Sequence, residues 1–130
     1  MNDPSISRKK ESLKAYIFMC NWETYEECIK KSLFGVSQAY VSDIVPGDLC
    51  FLYQYDLKIL YGVWAAASVA GWHDPKAWNG RFKHQVRVQL QGEKIKQIPF
   101  SQVQYLIENS GTMIFKMGND KAEELLRVFK

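Results

Sequence analysis

The chain has 130 residues and a formal net charge of +3, with 47% apolar and 24% charged residues. That length supports one domain with a core of its own. The balance excludes a disordered chain, and it is milder than the domain pI above about 9 that marks a dedicated nucleic-acid protein.

No apolar run reaches the length of a membrane span, and the opening MNDPSISRKKES lacks the apolar stretch of a secretory signal. An intracellular, soluble, cytoplasmic protein with no membrane partner is therefore expected. Cys20, Cys28 and Cys50 are widely spaced among apolar neighbours and read as buried reduced thiols. With His73 and His84 as its histidines, the chain offers no metal-ligand pattern. No metal, cofactor or catalytic residue is expected.

Residues 1–14 are polar and read as a tail or loosely docked extension, leaving residues 15–130 as the domain. Ala15 to Cys20 is a short apolar run of β-formers, a buried strand. Asn21 and Thr24 then offer helix-cap oxygens, and Thr24 with Glu27 has capping-box spacing. A helix is predicted from about Tyr25 to Ser32, ended by Leu33-Phe34-Gly35. Trp22 at its start and Trp64 in a later strand read as structural.

Val45-Pro46-Gly47-Asp48 is a turn into a strand, Leu49 to Tyr55. Asp56-Leu57-Lys58 connects it to a return strand, Ile59 to Val69. A turn at Gln91 to Lys94 precedes a short strand at Ile95 to Ile98. A helix near Gln102 to Glu108, a last strand at Met113 to Met117 and a final helix capped by Asn119 complete the pattern. The last helix places Ala122, Leu125, Leu126 and Phe129 on one face. One helix, mostly sequential strands, then further helices predict an α+β domain built on a small mixed β-barrel flanked by helices.

The stretch from Gly71 to Leu90 stands apart. Trp72 and Trp78 lie on a loop punctuated by Pro75 and Gly80, followed by an alternating strand. Phe82, His84, Val86 and Val88 fall on one side of that strand, and Arg81, Lys83, Gln85 and Arg87 on the other. Exposed indoles beside positive charge are what an unstacked base requires; the alternative is that both indoles are packing anchors. Lys76, Arg81, Lys83 and Arg87 are the candidate phosphate contacts, or a merely solvated face. Asn21 could read a base edge or simply cap its helix. His73 beside Asp74 has no nucleophile or second carboxylate to work with, and Asp74-Pro75 reads as a turn starter.

Four motifs together resemble the DCD (development and cell death) domain over roughly Ala15 to Phe129. They are Phe34-Gly35-Val36, Phe51-Leu52-Tyr53, Leu60-Tyr61-Gly62-Val63 and Gln85-Val86-Arg87-Val88. The layout is similar, more distantly, to YTH and EVE domains, and so implies a PUA-like fold. YTH domains read N6-methyladenosine in RNA through a cage of aromatic or apolar side chains. By that resemblance the cage positions are Phe34, Trp72 and Trp78, with Asn21 as the polar contact; Phe34 stands where YTH domains carry Trp.

These readings lead to a binding module that captures a base, modified or plain, of RNA or of single-stranded or flipped-base DNA. The alternative is a protein-interaction module that docks a partner on the same aromatic loop. An enzyme is disfavoured, because the chain has no phosphate-binding glycine loop and no triad.

Overall fold

The structure, a computed structural model, describes residues 13–130, so the polar extension expected at the N-terminus lies almost wholly outside the described residues. The elements are β1 (Ala15–Cys20), α1 (Trp22–Lys31), β2 (Leu33–Val36), β3 (Leu49–Gln54), β4 (Ile59–Ala66), β5 (His84–Leu90), β6 (Lys96–Pro99), α2 (Phe100–Ile107), β7 (Glu108–Asn109), β8 (Thr112–Met113), β9 (Lys116–Met117) and α3 (Asn119–Val128). Seven strands form one mixed sheet in the order β2-β5-β4-β3-β1-β9, with β6 added alongside β4. β1 and β3 are parallel; the other pairings of this sheet are antiparallel. The sheet curls into a half-barrel, and with its three helices the domain is the α+β arrangement expected.

β1 is buried on both faces. Tyr16, Phe18 and Cys20 join a core with Cys50, Leu52, Trp64, Val86 and Val88. Ala15 and Ile17 join a second core with Phe51, Leu60, Val103 and Leu106 of α2, and Leu125 of α3. A strand covered on both sides needs apolar residues at every position, which is why β1 and β3 read as unbroken apolar runs.

Two local expectations are corrected. Leu33-Phe34-Gly35 does not merely end the first helix. Ser32 takes the left-handed cap position (φ 49°) and turns the chain, and Leu33–Val36 then pairs with β5. The last helix is capped by the Gly118 backbone rather than by Asn119. Asn119 is already helical, and its amide donates to Glu123 instead.

α1 begins three residues earlier than the periodicity predicts because Asn21 is the cap. Its Oδ1 accepts from the N–H groups of Glu23 and Thr24, and Thr24 Oγ1 accepts in return from the Asn21 N–H. Thr24 thus occupies the reciprocal place expected of Glu27, and Glu27 is free for another partner. No helix among the described residues is long and apolar enough to cross a membrane.

Candidate nucleic-acid interface

The loop between β4 and β5 is fastened on two sides. On one side is α1. The backbone N–H of Trp78 donates to Glu27 Oε2 at 3.0 Å, and its indole Nε1 donates to the Thr24 carbonyl at 3.4 Å. Lys31 Nζ bridges Glu27 and Asp74 at 3.0 and 2.9 Å. On the other side is Gln85, wholly buried in β5. Its Nε2 donates to the carbonyls of Asp74 and Phe82, both at 2.9 Å, and its Oε1 accepts from the Asp74 N–H at 2.7 Å.

A buried amide is tolerated only when its donors and acceptor are satisfied, as they are here. These bonds hold Trp78 and Asn79 in left-handed backbone (φ 50° and 56°) before Gly80 at φ 78°. Such a run costs about 1–2 kcal/mol per non-glycine residue and persists only where surrounding contacts impose it.

The three rings expected to form a cage do not meet around a slot. Phe34 is fully buried, its ring 5.4 Å from Phe18 and 4.8 Å from Trp64 between centroids. β2 is covered on both sides, so neither face of the phenyl ring is open to a ligand. Trp78 is buried too. Its ring packs edge-on against Phe82 at 5.2 Å and lies over Gly35, where an added Cβ would come within 2.8 Å of the indole. Trp72 alone of the three is exposed, at 49%, with Lys83 Nζ 5.8 Å from its ring centroid. Trp22, read as structural from sequence, is in fact 71% exposed, whereas Trp64 is buried as expected.

What opens beside the loop is a cleft of about 530 Å³. Met19, Tyr40 and Phe115 give it apolar lining; Asn21 and Tyr55, Ser37 and Gln38, and Arg81 with Phe82 complete the wall. α1 contributes to both sides, directly through Asn21 and Thr24 and indirectly through the Trp78 tether that positions Phe82. The Arg81 guanidinium carbon sits 5.5 Å from the centre of the Phe82 ring, so an aromatic ring and a cation lie together in the cleft wall.

Asn21 reaches this cleft, but most of its amide is engaged. Oδ1 serves the helix cap, and Nδ2 donates to the Tyr55 hydroxyl at 3.0 Å. It therefore has one amide N–H left to offer, and no longer the donor–acceptor pair expected of a base-edge reader. Phe82, Tyr55, Ser37 and Gln38 escaped the sequence reading. Phe82 was visible only as one member of an alternating strand, and the other three are brought in by topology.

Lys76, Arg81, Lys83 and Arg87 are all exposed, and among the described residues none is paired with a carboxylate. Arg81 alone of the four lines the cleft. His73 has a structural place: its Nε2 lies 2.9 Å from the Val69 carbonyl and 3.2 Å from Ser68 Oγ. Burial raises the thiol pKa of Cys20, Cys28 and Cys50, Cys28 to about 12, so the thiols are neutral packing groups. Among the described residues no cluster of histidine, cysteine and carboxylate side chains is arranged to hold a metal ion.

A family model described as the Development and cell death domain matches residues 14–129. The chain is 42% identical over 91 residues to the B2 protein of Daucus carota, covering 62% of this chain and 44% of that protein. It is 41% identical over 91 residues to the DCD domain-containing protein NRP-B of Glycine max, covering 62% and 28%. The chain thus spans less than half the length of the curated relatives it matches.

Among solved structures, the YTH domain-containing protein mmi1 in complex with RNA superposes with a TM-score of 0.68 at 12% identity, covering 92% of this chain and 82% of that one. The YTH domain of the Zygosaccharomyces rouxii MRB1 protein, solved with N6-methyladenosine RNA, gives 0.66 at 12% identity, covering 91% and 87%. At that identity the likeness establishes the fold.

Proposed function

The chain belongs to the development and cell death domain family, and we propose that it is a nucleic-acid binding module that takes an unstacked base of single-stranded RNA into the cleft between Asn21 and Phe82. The observation that carries this reading is the juxtaposition of Arg81 and Phe82 on a loop fastened in place beside an apolar cleft. A base is planar and apolar on its faces and carries a phosphate nearby. Stacking on one aromatic ring is worth about 1–3 kcal/mol, and a guanidinium at the mouth meets the phosphate.

Within the cleft the Phe82 ring is the stacking wall. The free Nδ2 hydrogen of Asn21 and the Tyr55 hydroxyl are the edge contacts, and Arg81 is the phosphate contact. Solved YTH domains in complex with RNA share this fold, which adds support by analogy alone. Selection of a methylated base is not part of the reading, because two of the three expected cage rings, Phe34 and Trp78, are buried in the protein's own packing.

The test is a titration of single-stranded RNA, and of DNA of the same sequence, at several salt concentrations. Affinity must fall as salt rises, and Arg81→Ala should lower the slope of log K against log salt by about 0.7, the value of one phosphate contact on a single strand. Tight binding indifferent to both salt and Arg81 would contradict it.

A protein-docking reading has its own observation. Trp22 is 71% and Leu57 57% exposed, and the Trp22 N–H donates to Asp56 beside that leucine, at 3.3 Å. Capture of a protein partner lost on Trp22→Ala, with no RNA bound at low salt, would favour it.

A further inference from the structure

Trp72 is the exposed indole of the loop, and the loop does not leave it loose. Gly71 exchanges both backbone hydrogen bonds with Gln85, at 2.9 and 2.8 Å. On the other side His73 is held through its ring nitrogen by Ser68 and Val69, and the Asp74 N–H is held by Gln85. The backbone is thus pinned at Gly71 before the tryptophan and at Asp74 after it, while the indole belongs to neither apolar core. An amphipathic ring held out on a fixed backbone has already lost the entropy that binding would cost, which is how a contact surface is preorganised.

Among the described residues, the unpaired charges beside it are cations, since the nearby Asp74 carboxylate is taken up by Lys31. Lys83 Nζ sits 5.8 Å from the indole centre, and Arg87 stands exposed four residues further along. Arg81 and Phe82 line the cleft, and the next residue, Lys83, lies over Trp72. Two aromatic–cation pairs, Arg81 with Phe82 and Lys83 with Trp72, are thus linked through the consecutive residues 81–83. A polyanion with a planar group on each repeat matches that arrangement; a lone nucleotide uses only half of it.

From this we infer that the ligand is an extended single strand. One nucleotide enters the cleft, and a neighbouring base stacks on Trp72, with Lys83 and Arg87 along the connecting backbone. The inference rests on the cleft reading for the first nucleotide, and the Trp72 platform can be tested separately.

The probes are adenosine monophosphate and single-stranded oligoadenylate, both measured by competition against a fluorescent oligoadenylate on the full chain. The wild-type protein should bind the oligonucleotide more tightly than the mononucleotide. Trp72→Ala should erase roughly ten-fold or more of the oligonucleotide affinity and leave the mononucleotide unchanged. Trp72→Phe, which keeps a ring, should recover most of the loss.

Phe82→Ala should weaken both probes. If it leaves both unchanged while Trp72→Ala still weakens the oligonucleotide, the platform stands and the cleft assignment falls. Wild-type oligonucleotide affinity in Trp72→Ala, or an equal loss on both probes, overturns the extended-strand inference; the first result would leave the indole to a protein partner.

Discussion

The Trp78 backbone N–H and the Glu27 carboxylate meet at 3.0 Å, and this bond, with the Trp78 indole on the Thr24 carbonyl and the Lys31–Asp74 ion pair, joins the helix to the loop that carries Arg81 and Phe82. A hydrogen bond to a charged acceptor contributes about 1.5–3 kcal/mol when well shielded. Glu27 is only half-buried, so about 1 kcal/mol is expected from Glu27→Ala in urea unfolding. Glu27→Gln retains an acceptor and should lose less. Equal stability of Glu27→Ala and wild type would show that the loop is held without it.

Gly35 has no room for a side chain. A Cβ there would stand 2.8 Å from the Trp78 ring and 2.9 Å from Phe82 Cβ. Gly35→Ala should therefore push the loop away from β2, costing about 1–3 kcal/mol as overpacking does. Because Phe82 moves with it, RNA affinity should fall in the variant that remains folded. Retained stability and affinity together would mean that the loop does not pack as described.

Phe34 separates packing from recognition. Fully buried between Phe18 and Trp64, it should cost about 3–5 kcal/mol as Phe34→Ala. Phe34→Leu keeps most of the volume and should keep RNA affinity near wild type once folding is accounted for. Loss of binding in a stable Phe34→Leu protein would restore the ring to a ligand-contacting role.

The Lys31 tether carries a pH dependence of definite sign. Lys31, and then the Lys76 N–H, hold the Asp74 carboxyl below its ordinary value of 3.8. A carboxylate with a lowered folded pKa contributes its stability in full above the unfolded value and loses it as pH falls through the folded value. Asp74→Asn should therefore be less stable than wild type at pH 7, and the difference should close only below about pH 4. A difference that closed near neutrality would mean another group is responsible.

The fold was legible where its signals are local. Apolar runs at β1 and β3, the cap oxygens of Asn21 and Thr24 before α1 and the alternation of β5 are each short-range signals. β2 was not, because Leu33 to Val36 carries too few residues to show a period, and only its pairing with β5 makes it a strand. The site divided in the same way. Sequence singled out this loop and Arg81, but it could not tell which indole turns inward. Trp78 is buried because Glu27 and Gly35 receive it, partners distant in sequence. Trp72 stays out because the loop backbone around it is bonded to Gln85. Tyr55, Ser37 and Gln38 join the cleft through the β1–β3 and β2–β5 pairings, which no local pattern announces.

The most direct measurement is a map of backbone amide NMR shifts on adding single-stranded RNA. The changes should cluster on Met19 to Thr24, Gly35 to Gln38, Tyr55, Arg81 and Phe82, and extend to Trp72 as the strand lengthens. Changes confined instead to a second cleft, lined by Gly62, Lys94, Lys96 and Phe129 among others, or no changes at low salt, would contradict the base-in-cleft account.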